Sequence, residues 1–137
     1  MTATTIPTTE TTRDGFLRFA LRLDAICTGL GGIALAAAAG PMSSLTGLSL
    51  ATEYGLAAFF IVYGITVFGL SRLAELRSPG AWVIGANVLF TVAAVAVVLA
   101  GVWPLTTAGI VLTLGSGVYT LVMADLQYLG LRRMRAA

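Results

Sequence analysis

The chain has 137 residues, 58% of them hydrophobic and only 10% charged, with 16 Gly, one Cys and no His. A soluble domain carries nearer a quarter charged residues, so the composition excludes one and points to a small polytopic membrane protein. With no His and Cys27 alone in an apolar run, a zinc site, ordinary haem ligation, a disulfide and a Cys–His nucleophile pair all drop out, and no metal, cofactor or catalytic residue is expected.

Residues 1–15 (MTATTIPTTETTRDG) are Thr-rich and polar, and they read as a disordered cytoplasmic tail. An all-α, four-helix transmembrane domain is expected over 16–131, with spans at about 19–40, 54–73, 82–102 and 106–128, and with 132–137 as a basic tail. At about 1.5 Å per residue each span matches a hydrocarbon core of about 30 Å, and only helices satisfy their own backbone there. The first span imitates a signal peptide in its Arg-bearing start and its ALAAAAG end, but Asp24 inside the run and the length of the run favour a retained span. Gly29-Leu30-Gly31-Gly32 lies inside an apolar span with no preceding strand, so it reads as a packing surface and not as a phosphate loop.

All positive charge is Arg, and all of it falls on one side. Arg13, Arg18 and Arg22 precede span one, Arg72 and Arg77 flank the link between spans two and three, and Arg132, Arg133 and Arg135 follow span four. The positive-inside rule then places both termini in the cytoplasm, and the pattern is topological, not that of a nucleic-acid binder.

Shifted by 63 residues, Asp24-Ala-Ile-Cys-Thr28 aligns with Asn87-Val-Leu-Phe-Thr91, and Gly40-Pro41 with Trp103-Pro104. Duplication and convergent helix-end chemistry both account for this match. Duplication would make two tandem helical hairpins related by a pseudo-two-fold axis along the membrane normal, with Asp24 and Asn87 near the axis.

Polar residues inside spans carry the functional expectations. Steps of four give Asp24, Thr28, Gly32, Ala36 and Gly40 on span one, and Gly109, Thr113, Gly117, Leu121 and Asp125 on span four. Gly32, Gly109 and Gly117 are therefore expected at helix-packing faces. Asp24 and Asp125 both lie about a turn inside the Arg-rich boundary, so a network of Asp24, Arg72, Asn87 and Asp125 is predicted, either fixing register or forming a proton or cation site. Thr28, Tyr63, Thr91, Thr113 and Tyr119 are candidates to line a cavity. The pairs Asp14/Arg18 and Arg72/Glu75 are expected on helix surfaces.

The run Leu21-Arg-Leu-Asp24-Ala-Ile-Cys-Thr28-Gly29, the Ala-rich helix ending at Gly40-Pro41 and the Asn87-bearing third span resemble small four-helix integral membrane proteins of actinobacteria, a group without an assigned activity. The resemblance implies a fold and a bacterial source. The chain also shares its size with small multidrug transporters, which use a membrane-embedded Glu in the first span where this chain has Asp24 nearer the end. Two functions follow from the residues. One is a non-catalytic protein acting through helix–helix association with itself, as a homo-oligomer, or with a larger membrane complex in the lipid bilayer. The other is a small proton-coupled transporter or channel using Asp24 and Asp125.

Overall fold

The computed structural model describes residues 9–136, with side chains over 14–135. They form five helices: α1 (Thr9–Ala37), α2 (Ala39–Thr46), α3 (Leu50–Leu70), α4 (Arg77–Ala100) and α5 (Thr107–Ala136). Among the described residues α1, α3, α4 and α5 are long and apolar enough to cross a membrane, so the chain is an all-α, multi-pass four-helix bundle.

The helices outrun the apolar windows at the Arg-rich end. Helix α1 begins at Thr9, within the stretch expected to be a tail, and α5 continues through Arg135. Packing supplies what hydropathy lacks there. Arg18 is ion-paired to Asp14 at 3.1 Å and donates to the carbonyls of Ser71 and Leu73, which lie past the last turn of α3. Leu17 is fully buried against Gly80 and Gly130, and Arg133 stacks over Phe16 at 4.4 Å. These contacts gather the described Arg residues at one end of the bundle. The expected tail residues 1–8 lie outside the described residues.

At the opposite end the expected connection over 41–53 holds α2, which Gly47 ends with φ +85°, a left-handed conformation that suits glycine. Ser49 then caps α3 by accepting from the Thr52 amide at 3.1 Å. Ser49→Ala should lower the stability of the folded protein by about 1 kcal/mol in a thermal melt in detergent.

Helix α1 packs on α3 and α5, and α4 packs on α5, whereas α3 and α4 have no comparable contact. A cleft therefore runs between α3 and α4. Under the pseudo-two-fold, α1 would match α4 and α3 would match α5, so the α1–α5 and α3–α4 contacts should be equivalent. One is packed and the other open, and the packing does not keep the symmetry.

The predicted glycine faces are used inside the chain. A Cβ on Gly32 would meet the Ala57 carbonyl at 2.8 Å, one on Gly109 would meet the Thr46 carbonyl, and one on Gly117 would meet Ala94 at 3.3 Å. Gly64, which the stripes did not include, faces the Gly29 backbone. These are the close approaches of α1 to α3, α2 to α5 and α4 to α5.

Candidate functional site

A buried carboxylate draws all four spanning helices together. Asp24 of α1 is 0% exposed. Its Oδ1 accepts from Thr28 Oγ1 at 3.1 Å and from the Tyr119 hydroxyl of α5 at 3.0 Å. Its Oδ2 accepts from the Tyr63 hydroxyl of α3 at 3.0 Å, from Asn87 Nδ2 of α4 at 2.8 Å and from Gln127 Nε2 of α5 at 2.9 Å. Asn87 Nδ2 also donates to Gln127 Oε1 at 3.0 Å, and Asn87 Oδ1 accepts from the Tyr63 hydroxyl at 3.1 Å. Five neutral donors surround two acceptor oxygens, which is the complement of an ionised carboxylate.

Two predicted members of this network are elsewhere. Arg72 is exposed in the turn after α3, and Asp125 is exposed on α5. Among the described residues the one salt bridge is Asp14–Arg18, so no Arg lies within ion-pairing distance of Asp24. The reason for Asp125 is helical period. At 3.6 residues per turn a strict step of four drifts by about 40° each time, so Asp125 ends nearly opposite Gly109. The buried face of α5 instead runs Gly109, Gly117, Thr120, Ala124, Gln127 and Leu131, by threes and fours. That corrected stripe would have found Gln127. The Arg72/Glu75 pair is also replaced, because Glu75 accepts from the Arg77 amide at 2.5 Å at the start of α4.

The network lies deeper than a boundary layer. Asn87 is ten residues, or about 15 Å of rise, from the start of α4 at Arg77, and Tyr63 is about 12 Å of rise from Ser71. Between the network and the Arg-rich end the bundle is closed by an apolar cluster of Leu17, Leu21, Val67, Leu76, Val83 and Leu131. On the other side the cleft widens into a cavity of about 430 Å³, lined by Thr28, Tyr63, Asn87 and Tyr119 at its polar end and by Phe59, Phe60 and Phe90 along its wall. The rings of Phe59 and Phe90 stack with centroids 6.5 Å apart, and Phe60 lies tilted to Phe90 at 6.0 Å.

Three of the expected cavity residues, Thr28, Tyr63 and Tyr119, line this space. Thr91 does not. It pins α4 to α5, within hydrogen-bonding distance of the Thr120 hydroxyl at 2.7 Å and donating to the Gly117 carbonyl at 2.9 Å. Thr113 lines a second, smaller cavity toward the α2 end. That cavity also contains Glu53, which the sequence placed in a connection and which is 2% exposed in α3. No family model matches the chain, and no curated protein or solved structure matches it either.

Proposed function

We propose that the protein is a small multi-pass transporter that takes a compound with an apolar body and an ammonium head at an Asp24-centred site in the α3–α4 cleft. The observation that carries this reading is Asp24 itself: a completely buried carboxylate, held by neutral donors, without an ion-pairing Arg among the described residues and set behind the polar end of a cavity. Such a charge in low dielectric is a functional-site candidate, and the cavity volume is that of a small-molecule pocket.

The ligand class follows from hydrogen-bond direction. Tyr63, Tyr119 and Thr28 point their protons inward at Asp24, which leaves hydroxyl lone pairs for the cavity. A complementary head group donates hydrogen bonds and carries positive charge. The rings of Phe59, Phe60, Tyr63 and Phe90 supply apolar and cation–π surface for the body.

Association between chains, the reading that the glycine stripes suggest, loses that support because Gly32, Gly109 and Gly117 are packed on helices of the same chain. Asp125 has no part in the proposed site. One-sided Arg placement supports cytoplasmic termini, and the resemblance to small actinobacterial membrane proteins supports a bacterial plasma membrane location.

Ethidium, a planar organic cation bearing amino groups, serves as probe. Protein in lipid nanodiscs should bind it in a fluorescence-anisotropy titration. Asp24→Asn, which keeps the volume and removes the charge, should weaken binding by about tenfold or more, and Tyr119→Phe should weaken it less. Equal affinity for wild type and both variants, with all three folded by circular dichroism, would remove Asp24 from ligand handling.

A further inference from the structure

We infer that Glu53 forms a second cation station at the end of the bundle opposite the Arg residues, joined to the Asp24 site by one route along the cleft that is partitioned by Phe60 and Phe90. The route rests on the proposed ligand site for its purpose, but its geometry is independent of it.

Glu53 lies in the first turn of α3, 2% exposed, and its Oε1 accepts from Thr46 Oγ1 at 2.5 Å. That is its one side-chain hydrogen bond among the described residues. It accounts for one carboxylate oxygen; the other has no hydrogen-bond partner among the described residues and is not fully enclosed, and Glu53 lines a neighbouring space. The space is the second cavity, about 240 Å³, between Glu53, Thr46, Trp103 and Thr113. No Arg stands within ion-pairing distance of Glu53 among the described residues.

The two cavities abut. Phe60, Phe90 and Ser116 line both of them. Along α3 the order is Glu53, Phe60, Tyr63, so the aromatic pair stands between the acids, and about 15 Å of helical rise separates Glu53 from Tyr63. The Phe60–Phe90 centroid distance of 6.0 Å is a side-chain contact without close backbone packing behind it, since α3 and α4 meet here through side chains, Phe59 on Phe90 and Tyr63 on Asn87. Rotation of either ring opens the partition without moving a helix. Beyond Asp24, the Leu17–Leu21–Leu76 cluster closes the way to the Arg-rich end. The arrangement is a pair of adjoining cavities that runs from Asp24 toward the Glu53 end and is shut toward the Arg-rich end, with a carboxylate at each end. Two acids separated by about half the length of α3 let a cation leave one while the other attracts it, which a single tight site does not.

Cys27 gives a native reporter, because it is the chain's only cysteine, is exposed, and lines the inner cavity. A membrane-impermeant quaternary-ammonium methanethiosulfonate is applied to membrane vesicles of each orientation, and modification of Cys27 is followed by mass. Wild-type Cys27 should react from the Glu53 face and about tenfold or more slowly from the Arg-rich face. Glu53→Gln keeps the oxygen that Thr46 bonds and removes the charge, so it should slow the Glu53-face reaction by about tenfold, the size of an electrostatic steering effect. Phe60→Trp should slow it as well, by thickening the partition. Equal reaction from both faces, or a wild-type rate in both variants, would overturn the route. Ethidium binding in nanodiscs separates the two proposals. Sided Cys27 reactivity without ethidium binding leaves the route standing and removes the ligand reading, and binding without sided reactivity does the reverse.

Discussion

Gly64→Leu is expected to destabilise the bundle by about 3 kcal/mol, the upper end for forcing bulk into a packed interior. A Cβ at Gly64 would stand 2.7 Å from the Ala25 carbonyl oxygen and 2.7 Å from Gly29 Cα, with Gly29 N at 2.9 Å. All three are backbone atoms of α1, so no rotamer change relieves the contact and the helices must separate. Gly32→Leu meets the same obstacle from the other side, at the Ala57 carbonyl and the Ile61 amide, and should behave alike. Gly55 is the control. It lies on the same helix as Gly64 with nothing within 4 Å of a built Cβ, so Gly55→Ala should melt at or slightly above the wild-type temperature. Thermal unfolding in detergent, followed by circular dichroism, reads all of them. A wild-type melting temperature for Gly64→Leu would mean that α1 and α3 do not cross at Gly29. The loss should appear in the single chain and should not depend on protein concentration, because the glycine surfaces meet within one molecule.

The count of spanning helices and the gathering of Arg residues at one end were legible in the sequence because each depends on bulk properties, apolar length and net charge position. Asp24 and its meeting with Asn87 were legible too, the first from its cost in an apolar run and the second from the 63-residue match. What was not legible depends on angular position and on contacts distant in sequence. Gln127 escapes a sequence reading because stepping by four rotates off the buried face of α5, and because the charge at Asp125, two residues earlier, is the stronger signal. Depth alone puts Arg72 in the network, whereas the turn after α3 leaves it exposed and Arg18 takes the nearby carbonyls of Ser71 and Leu73. Glu53 was hidden at an expected helix boundary, and its burial depends on α2, a helix that hydropathy does not register. The ends of α1 and α5 were misplaced for a related reason. They are polar in composition yet packed against each other through Leu17, Gly130, Phe16 and Arg133. The open α3–α4 side has no sequence signature at all, since it is the absence of a close approach that the repeat would have led one to expect.

Asp24→Leu is expected to lower stability by about 2 kcal/mol, less than the sum of the hydrogen bonds it removes. Five donors lose their acceptor, but they are not equally stranded. The Tyr119 hydroxyl still reaches the residue-24 carbonyl and Thr28 Oγ1, at 3.3 and 3.1 Å in the native protein, Tyr63 keeps Asn87 Oδ1, and Asn87 Nδ2 keeps Gln127 Oε1. Gln127 Nε2 has no second acceptor among the described hydrogen bonds, and Gln127 is 0% exposed. The cost therefore concentrates on one amide group, with the remainder spread over the displaced volume of leucine. This reasoning fixes the sign of a double-variant cycle. Gln127→Leu in the Asp24→Leu background removes the stranded Nε2 donor but also Oε1, the acceptor left to Asn87 Nδ2, so the two effects offset and the substitution should be nearly neutral there, whereas in the wild-type background it should be destabilising by about 1 kcal/mol. Reversible unfolding in mixed detergent micelles measures all four corners. If Gln127→Leu is destabilising by the same amount in both backgrounds, the amide is not held by Asp24, and the carboxylate cage is not one connected unit.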